Sequence, residues 1–277
     1  MRDHLWKLAH GRSLALGPQA VLMGVLNVTP DSFSDGGRFF QPAEARAHAT
    51  RMIGEGAAIV DIGGESTRPG AAPVTAQEEQ ARVMPPVIAL AGGEALISVD
   101  TYRSQTARMA VAAGAHIVND VTGLTQDPAL TEVVAETGAG LVIMHTGRGR
   151  EKLADVIDDQ LHFLGAAVER ARRAGVPDDR VVLDPGFGFA KETAEENLEL
   201  MARFEALHAL GFPLLVGTSR KRFVGAVTGR EPADRDAGTA ATSVILRLKG
   251  AAIFRVHDVA INRDALLFAD AMLLRGA

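Results

Sequence analysis

Short runs rich in valine, isoleucine and leucine recur along the whole chain, and they constrain its fold more than any other feature. Each run is nearly continuous in apolar residues, which is typical of strands buried on both faces of a parallel sheet. The eight runs are 21–29, 57–66, 95–101, 116–122, 140–146, 181–186, 213–219 and 251–259. The pattern therefore predicts eight parallel strands.

Helix signals occupy the segments between these runs. Thr75–Glu78 and Thr193–Glu196 have the spacing of capping boxes, and Gly211 is placed to end the helix that follows the second box. Pro85–Pro86 predict a kink or a division in the helix that follows the first box. Alternating strands and helices predict an α/β fold, a (β/α)8 TIM barrel. A doubly wound open sheet is the alternative, because closure is not visible in the sequence.

We expect one domain over residues 1–277, with a short N-terminal extension at 1–20. No low-complexity linker divides the chain. The most polar loop, 229–238, precedes a further helix at 239–249, and we interpret it as an insertion in the seventh unit. Residues 261–276 have the pattern of an amphipathic final helix.

Charge and composition exclude several classes of protein. The 29 basic and 34 acidic residues give a net charge of −5, and no Lys/Arg run suggests a nucleic-acid surface. The absence of cysteine excludes disulfides and thiolate metal sites. No apolar stretch reaches the ~18 residues of a membrane span, and the N-terminus lacks a signal-peptide apolar region. We therefore expect a soluble cytoplasmic protein that binds neither nucleic acid nor membrane.

Polar residues stand at or just beyond the predicted carboxyl end of every strand. They are Asn27, Thr67, Asp100, Asn119, His145, Asp184, Ser219 and His257. In a barrel these ends converge on one face, where such enzymes keep their active sites. Any one of these residues has an alternative role as a helix cap or turn former. Eight together indicate a polar ligand.

Residue type indicates what that ligand is. Asp100, Asn119 and Asp184 suit a flat heterocycle with N–H donors, because a carboxylate accepts two parallel hydrogen bonds from an amino-pyrimidinone edge. Ser219–Arg220–Lys221 precedes a helix and brings two cations together, which favours an anion. Arg255 and His257 alternate on the eighth strand and extend this anion site, although an ion pair with a carboxylate is the alternative for Arg255.

Two glycine-containing loops, 29–37 and 63–70, follow the first two strands. Long loops on the functional face are more often lids than plain surface turns. Asp31 and Asp35 in the first loop are weak evidence for a divalent cation, because they lack a tight ligand pattern.

Seven sequence blocks give a resemblance that covers nearly the whole chain. They are GVLNVTPDSFSDGG (24–37), DIGGESTRPGA (61–71), SVDT (98–101), IVNDVTG (117–123), LDPGFGFAK (183–191), GTSRKRFVG (217–225) and RVHDV (255–259). The chain resembles the dihydropteroate synthases, the folate-pathway enzymes inhibited by sulfonamides. The resemblance implies condensation of 6-hydroxymethyl-7,8-dihydropterin pyrophosphate with p-aminobenzoate, with release of pyrophosphate and formation of 7,8-dihydropteroate.

The resemblance also implies roles for individual residues. Catalytic roles are implied for Asp100, Lys221 and Asp35, and Asn27 is the implied protein ligand of the cofactor Mg2+. The implied substrate-binding residues are Phe33, Thr67, Arg68, Pro69, Asp100, Asn119, Met144, Asp184, Phe189, Ser219, Lys221, Arg255 and His257. Pyrophosphate departure would leave a pterin-methylene cation that Asp100 stabilises and the aryl amine attacks. The fifth loop, 144–152, departs from the usual family sequence, which puts its contact role in doubt.

The sequence leaves three other functions open. A pterin-dependent methyltransferase module is one, but it has no pyrophosphate for the residues at 219–221 and 255–259 to hold. A non-catalytic pterin-binding duplicate and an unrelated phosphate-binding barrel enzyme are the others. The resemblance further implies a homodimer, in which the apolar segment 265–274 packs at the interface or, alternatively, on the barrel wall.

Overall fold

A computed structural model describes residues 3–29, 42–66 and 72–275. Eight strands form one sheet in which every ladder is parallel. The two ends of the sheet meet through a parallel bridge between Leu183 and Leu214, where the Leu183 N–H donates to the Pro213 carbonyl at 3.0 Å. The prediction of a (β/α)8 TIM barrel is confirmed, because the sheet closes and helices alternate with its strands.

All eight predicted strands are present, each somewhat shorter than its apolar run. We number them β3 to β10: Val21–Asn27, Ile59–Gly63, Leu96–Asp100, Ile117–Asp120, Gly140–Met144, Val181–Asp184, Leu215–Val216 and Ile253–Val256. Within the described ranges the α-helices α1 to α9 are Pro42–Gly54, Ala76–Leu90, Ser104–Ala112, Ala129–Thr137, Val156–Arg173, Ala194–Ala202, Arg222–Thr228, Asp236–Leu248 and Val259–Leu273.

The N-terminal extension is a hairpin of two antiparallel strands, β1 (His4–Lys7) and β2 (Ser13–Leu16). Trp6, Leu8 and Leu16 are buried in one cluster with side chains from the barrel strands. Gly140 at the start of β7 contributes to this packing, because a Cβ there would collide with Leu8. The hairpin therefore covers the amino-terminal end of the barrel and leaves the carboxyl ends of the strands for the site.

Two details of the helices differ from the sequence-based expectation. Pro85–Pro86 do not divide α2, which has its capping box at Thr75 and runs continuously, with Val83, Pro86 and Val87 buried. The helix after Thr193 also has its capping box, but it ends at Ala202 and continues as the 3-10 helix Phe204–Leu210, which Gly211 terminates at φ 81°. Tertiary burial outweighs the local signal of the prolines.

The predicted insertion at 229–238 lies between α7 and α8 and contains the 3-10 helix Pro232–Asp234. The further helix predicted at 239–249 is α8, which begins earlier, at Asp236, so the seventh unit has two α-helices, α7 and α8, instead of one. The final amphipathic helix is α9. Among the described helices, none is both long and apolar enough to span a membrane.

Candidate active site

The parallel register aligns polar residues at the carboxyl ends of neighbouring strands. Asn27 on β3 pairs with Gly63 on β4, Gly63 pairs with Asp100 on β5, and Asp100 pairs with Asn119 on β6. A Cβ added to Gly63 would lie 3.6 Å from Asn27 Oδ1 and 3.7 Å from Asp100 Oδ2. The glycine therefore leaves room for the two flanking polar side chains to face one another across β4.

Arg255 on β10 holds two carboxylates inside the barrel. Its Nε donates to Asp61 Oδ2 at 2.7 Å, and one terminal nitrogen donates to Asp100 Oδ2 at 2.9 Å. Asn119 Nδ2 donates to the same Asp61 oxygen at 3.1 Å. Asp61 is fully buried and was not among the predicted site residues. Asp61 could have been recognised in the sequence as a carboxylate within an otherwise apolar strand, two residues before Gly63.

Asp61 and Asp100 share the guanidinium of Arg255 in a buried environment. Burial raises the pKa of Asp100 to about 8; Arg255 opposes that rise and the nearby Asp61 charge reinforces it. Three buried oxygens in this cluster have no hydrogen-bond partner among the described residues: Asp61 Oδ1, Asn119 Oδ1 and Ser98 Oγ. Since buried acceptors without donors are costly, these atoms fit a ligand that brings N–H groups into the barrel mouth.

Asp184, Lys221 and Phe189 form the opposite side of the mouth. Asp184 ends β8 and accepts a hydrogen bond from the Gly186 N–H at 2.7 Å. The Lys221 ammonium donates to the Phe187 carbonyl and lies 4.7 Å from the centre of the Phe189 ring. Burial raises the pKa of Asp184 and lowers the pKa of Lys221 to about 8, and each charge opposes the shift of the other.

Arg255 on β10 and Lys221, which follows the neighbouring strand β9, approach the same point. A Cβ added to Gly217 would lie 3.8 Å from Arg255 Cβ and 4.0 Å from Lys221 Nζ. Ser219 Oγ is 2.9 Å from His257 Nδ1 and accepts the His257 backbone N–H at 3.1 Å. The predicted anion-binding residues of the seventh and eighth strands therefore lie side by side.

The expectation that two cations of 219–221 point the same way is wrong for Arg220. Its guanidinium forms a paired contact with Asp236 at the start of α8, at 2.8 and 2.7 Å, while Lys221 turns toward Phe187. The reason is that the insertion supplies a carboxylate that the sequence pattern does not place. Only Lys221 of the two contributes a cation to the barrel mouth.

His145 also differs from the expectation, because its side chain is held by Asp159 of α5 and by the loop residues Arg150 and Lys191. Its Nε2 lies 2.9 Å from Asp159 Oδ2 on α5, Arg150 binds both Asp159 oxygens, and Lys191 Nζ lies 3.2 Å from His145 Nδ1. Burial lowers the pKa of His145 to about 3 and that of Lys191 to about 7. Lys191 also donates to the Gly186 carbonyl at 2.9 Å, next to Asp184.

Met144 ends β7 directly opposite Asp184 in the register and is buried. The fifth loop, whose role was in doubt, contributes Arg148, which lies 4.7 Å from the centre of the Phe189 ring. The predicted residues Phe33, Asp35, Thr67, Arg68 and Pro69 lie outside the described residues. Among the described residues, no three His, Asp or Glu side chains gather as a metal site.

The arrangement has two chemically distinct ends. Asp100, Asn119 and Asp184 present acceptors in a buried recess, and Lys221, Arg255 and His257 present donors beside it. Acceptors suit the N–H edge of a planar heterocycle, and cations suit an anionic tail. A molecule that carries both groups would match the site.

Comparison with known proteins gives one family. The family model described as pterin binding enzyme matches residues 23–257. A dihydropteroate synthase of Bacillus subtilis is 44% identical over 265 residues, which cover 95% of this chain and 92% of the relative. A dihydropteroate synthase of Escherichia coli is 43% identical over 272 residues, covering 96% of this chain and 95% of the relative.

Solved structures agree with these sequence matches. Xanthomonas albilineans dihydropteroate synthase with 4-aminobenzoic acid is 42% identical, has a TM-score of 0.91, and the match covers 97% of this chain and 98% of that one. The same enzyme with 7,8-dihydropteroate is 40% identical and has a TM-score of 0.87; the match covers 96% of this chain and 98% of that one. The Yersinia pestis enzyme with a sulfonamide drug is 40% identical and has a TM-score of 0.89; the match covers 96% of this chain and 98% of that one.

Proposed function

The chain belongs to the pterin binding enzyme family, and from that premise we propose that it is a dihydropteroate synthase. It is a transferase that joins the methylene carbon of a dihydropterin pyrophosphate to the amine of p-aminobenzoate. The observation that carries this proposal is the meeting of Asp100, Asn119, Asp184, Lys221 and Arg255 around one barrel mouth. A cytoplasmic location stays a prediction.

The buried acceptors would hold the pterin ring. Asp184 accepts the amino-pyrimidinone edge, and the partnerless Asn119 oxygen accepts a further ring N–H. Lys221 donates to an acceptor atom of the ring from the other side, and Met144 lies along the ring face beside Asp184. Binding therefore supplies donors to the acceptors that burial leaves unsatisfied.

Arg255, His257 and Ser219 would hold the pyrophosphate. Arg255, although paired with Asp61 and Asp100, contributes guanidinium N–H donors, and the Ser219–His257 pair contributes hydrogen-bond donors next to it. These groups stabilise negative charge that grows on the departing oxygen, which lowers the barrier to bond cleavage. Arg255 is already oriented by Asp61 and Asp100, so little reorganisation accompanies the reaction.

The reaction then needs few proton transfers. The bond between the pterin methylene and the pyrophosphate oxygen breaks, and its electron pair leaves with pyrophosphate. The ionised form of Asp100, which burial disfavours and the Arg255 charge favours, stabilises the positive charge left on the pterin. The neutral aryl amine forms the new carbon–nitrogen bond and then loses a proton to solvent or to the released pyrophosphate.

The p-aminobenzoate side is proposed around Phe189, Lys221 and Ser219. Phe189 offers a ring face that Lys221 and Arg148 already contact, and Lys221 and Ser219 can donate to a carboxylate. Thr67, Arg68, Pro69 and Phe33 complete this side in our proposal. Catalytic participation of Asp35 from the first loop also remains a proposal.

Residues near Asn27 fit a hard divalent cation, and we infer Mg2+ as the cofactor. Asn27 Oδ1 and Asp100 Oδ2 flank the same glycine, Gly63, and oxygen ligands are those that Mg2+ prefers. Mg2+ usually takes one or two protein oxygens together with substrate phosphates, so a protein cage is not required. When bound, it would neutralise charge on the leaving pyrophosphate.

The direct test is an assay with pterin pyrophosphate, p-aminobenzoate and Mg2+, following dihydropteroate and released pyrophosphate. We expect both products in equal amounts and inhibition by a sulfonamide. Pterin binding without product would instead identify a non-catalytic pterin-binding protein. Methyl transfer from a methylated pterin would identify the methyltransferase alternative.

Asn27→Ala should raise the Mg2+ concentration needed for half-maximal turnover about tenfold, since loss of a metal-site contact typically weakens affinity by about 10- to 100-fold. The variant keeps Asp100, Lys221 and Arg255, so pterin binding in the absence of Mg2+ should not change. Mg2+ titration of the steady-state rate measures the effect. Wild-type Mg2+ dependence in the variant would remove Asn27 from the metal site.

We also propose that the protein is a homodimer through α8 and α9. Phe268 is 81% exposed, and the exposed Ile261 and Met272 lie on the same face of α9. The neighbouring helix α8, which packs against α9, exposes Ile245 and Leu248. An exposed apolar surface of this kind is typical of an interface.

Phe268→Asp should weaken the dimer about 30-fold or more, because a central aromatic residue of an interface typically contributes at least ~2 kcal/mol. Light scattering across a dilution series measures the dissociation constant. Ile88→Asp places the same charge at an exposed apolar position on α2, which is not part of the proposed interface, and is the control. Equal dissociation constants for the two variants, or a monomeric wild type, would contradict this interface.

A further inference from the structure

Arg220 adopts a backbone conformation that is unfavourable for its residue type. Its φ is 57°, in the left-handed region, and it stands between Ser219 and Lys221. A residue with a Cβ pays conformational energy there, whereas glycine does not. Such a conformation persists only where surrounding contacts hold it.

Within the described residues, Arg220 is hydrogen-bonded by the N-cap and first turn of the inserted helix α8. Its Nε donates to Asp236 Oδ1 at 2.8 Å, and one terminal nitrogen donates to Oδ2 at 2.7 Å. Its backbone N–H donates to Thr239 Oγ1 at 3.2 Å, and its carbonyl accepts from Arg235 at 3.1 Å. Side chain, N–H and carbonyl of one residue are thus all bound. We call Arg235, Asp236 and Thr239 the insertion clamp.

Neighbouring packing fixes the insertion clamp itself. Thr239 is fully buried, and its hydroxyl also donates to the Arg235 carbonyl at 2.9 Å. Arg235 crosses α7 so closely that a Cβ at Gly225 would collide with its guanidinium. The clamp is therefore fixed by its packing on α7 and α8, and it acts on the turn between β9 and α7.

The conformation of Arg220 determines where its two neighbours point. Ser219 lies on one side, within 2.9 Å of His257 Nδ1, and Lys221 lies on the other, donating to the Phe187 carbonyl. If Arg220 adopted a negative φ, the backbone between Ser219 and Lys221 would rotate. Ser219 and Lys221 could not both keep these contacts.

We propose that the insertion clamp is a positioning device for the active site, which holds Arg220 in its left-handed conformation so that Ser219 and Lys221 face the substrates. The inference rests on the proposed function. It assigns a purpose to the second helix of the seventh unit, which the reaction itself does not use. An exposed ion pair by itself would contribute little, but here it acts on a strained backbone between two binding residues.

Asp236→Asn tests the proposal, because it removes the charge with almost no change of shape. We expect kcat/KM to fall about tenfold, mainly through a higher KM for p-aminobenzoate, as small misplacements of binding groups reduce rates by up to ~10²-fold. Asp178→Asn is the control. Asp178 binds Arg172 at the same 2.8 and 2.7 Å, but on the 3-10 helix that precedes β8, at the other end of the barrel.

A second substitution separates positioning from general stabilisation. Glycine adopts a φ near 57° without strain, so Arg220→Gly added to Asp236→Asn should recover most of the lost kcat/KM. If the double variant is no more active than Asp236→Asn, or if Asp236→Asn matches Asp178→Asn, the clamp has no positioning role.

Amide hydrogen exchange gives a readout that does not require turnover. The Arg220 and Lys221 amides, bound to Thr239 and Thr218, should exchange faster in Asp236→Asn than in Asp178→Asn. Unchanged exchange would overturn the clamp even if the enzyme is active. A wild-type protein that forms no dihydropteroate would overturn the proposed function, and faster exchange would then still support the clamp.

Discussion

Lys221→Gln should lower kcat/KM for pterin pyrophosphate by about 10²- to 10³-fold, the usual effect of removing one oriented donor from an active site. The ammonium is buried between the Phe187 carbonyl and the Phe189 ring, and its charge interacts with Asp184. Glutamine is shorter and neutral, so Asp184 would lose the charge that favours its ionised form. Steady-state kinetics and direct titration of pterin binding measure the loss.

The pH dependence of pterin affinity tests whether the charge of Lys221 is what binds the pterin. Its pKa is lowered by burial to about 8, so the charged form is present below pH 8 and is lost as the pH rises through that value. Pterin affinity of the wild type should therefore fall across this range, and Lys221→Gln should lack that fall. Lys249→Gln, at a lysine that binds Ala202 and Glu205, is the control. Undisturbed pterin binding by Lys221→Gln would refute its placement.

The barrel could be predicted because its evidence is local. A run such as 140–146 is apolar on both faces, and only a buried parallel strand explains such a run beside helix signals on either side. Closure was predicted only from the count of eight strand–helix units, because no residue pattern indicates the bridge between Leu183 and Leu214, which depends on register and tilt. The N-terminal hairpin was not predicted either. Trp6 is buried there against side chains of the barrel strands, and these contacts are not visible in the local sequence.

The candidate site was predictable in position but not in orientation. Asp100, Asn119 and Asp184 were found because the carboxyl ends of parallel strands must converge. His145 stands at an equivalent position, yet Asp159 on α5 holds its side chain beside the barrel, and no spacing rule relates those two residues. Arg220 differs for the same reason, since its partner Asp236 belongs to an inserted helix. Long-range partners decide where a polar side chain points.

Asp270→Ala should lower the free energy of unfolding by about 3–5 kcal/mol, because removal of one partner leaves a buried charge uncompensated. Asp270 on α9 binds the buried Arg247 of α8 at 2.5 Å and accepts the Ala20 N–H at 2.8 Å. The same guanidinium donates to the carbonyls of Gly17 and Pro18. Thermal and urea unfolding should show the loss as a Tm lower by roughly 10 °C.

A double variant, Arg247→Met with Asp270→Leu, distinguishes the buried charge from the other contacts of the pair. Replacing both ions removes the uncompensated charge, so the protein should be more stable than Asp270→Ala alone. It should stay less stable than the wild type, since the carbonyls of Gly17 and Pro18 and the Ala20 N–H lose their partners. Faster exchange of the Ala20 amide would locate that remaining loss at the junction between the hairpin and the barrel. Wild-type stability in Asp270→Ala would mean that water replaces the carboxylate, and the pair would then contribute nothing to the attachment of the N-terminal segment.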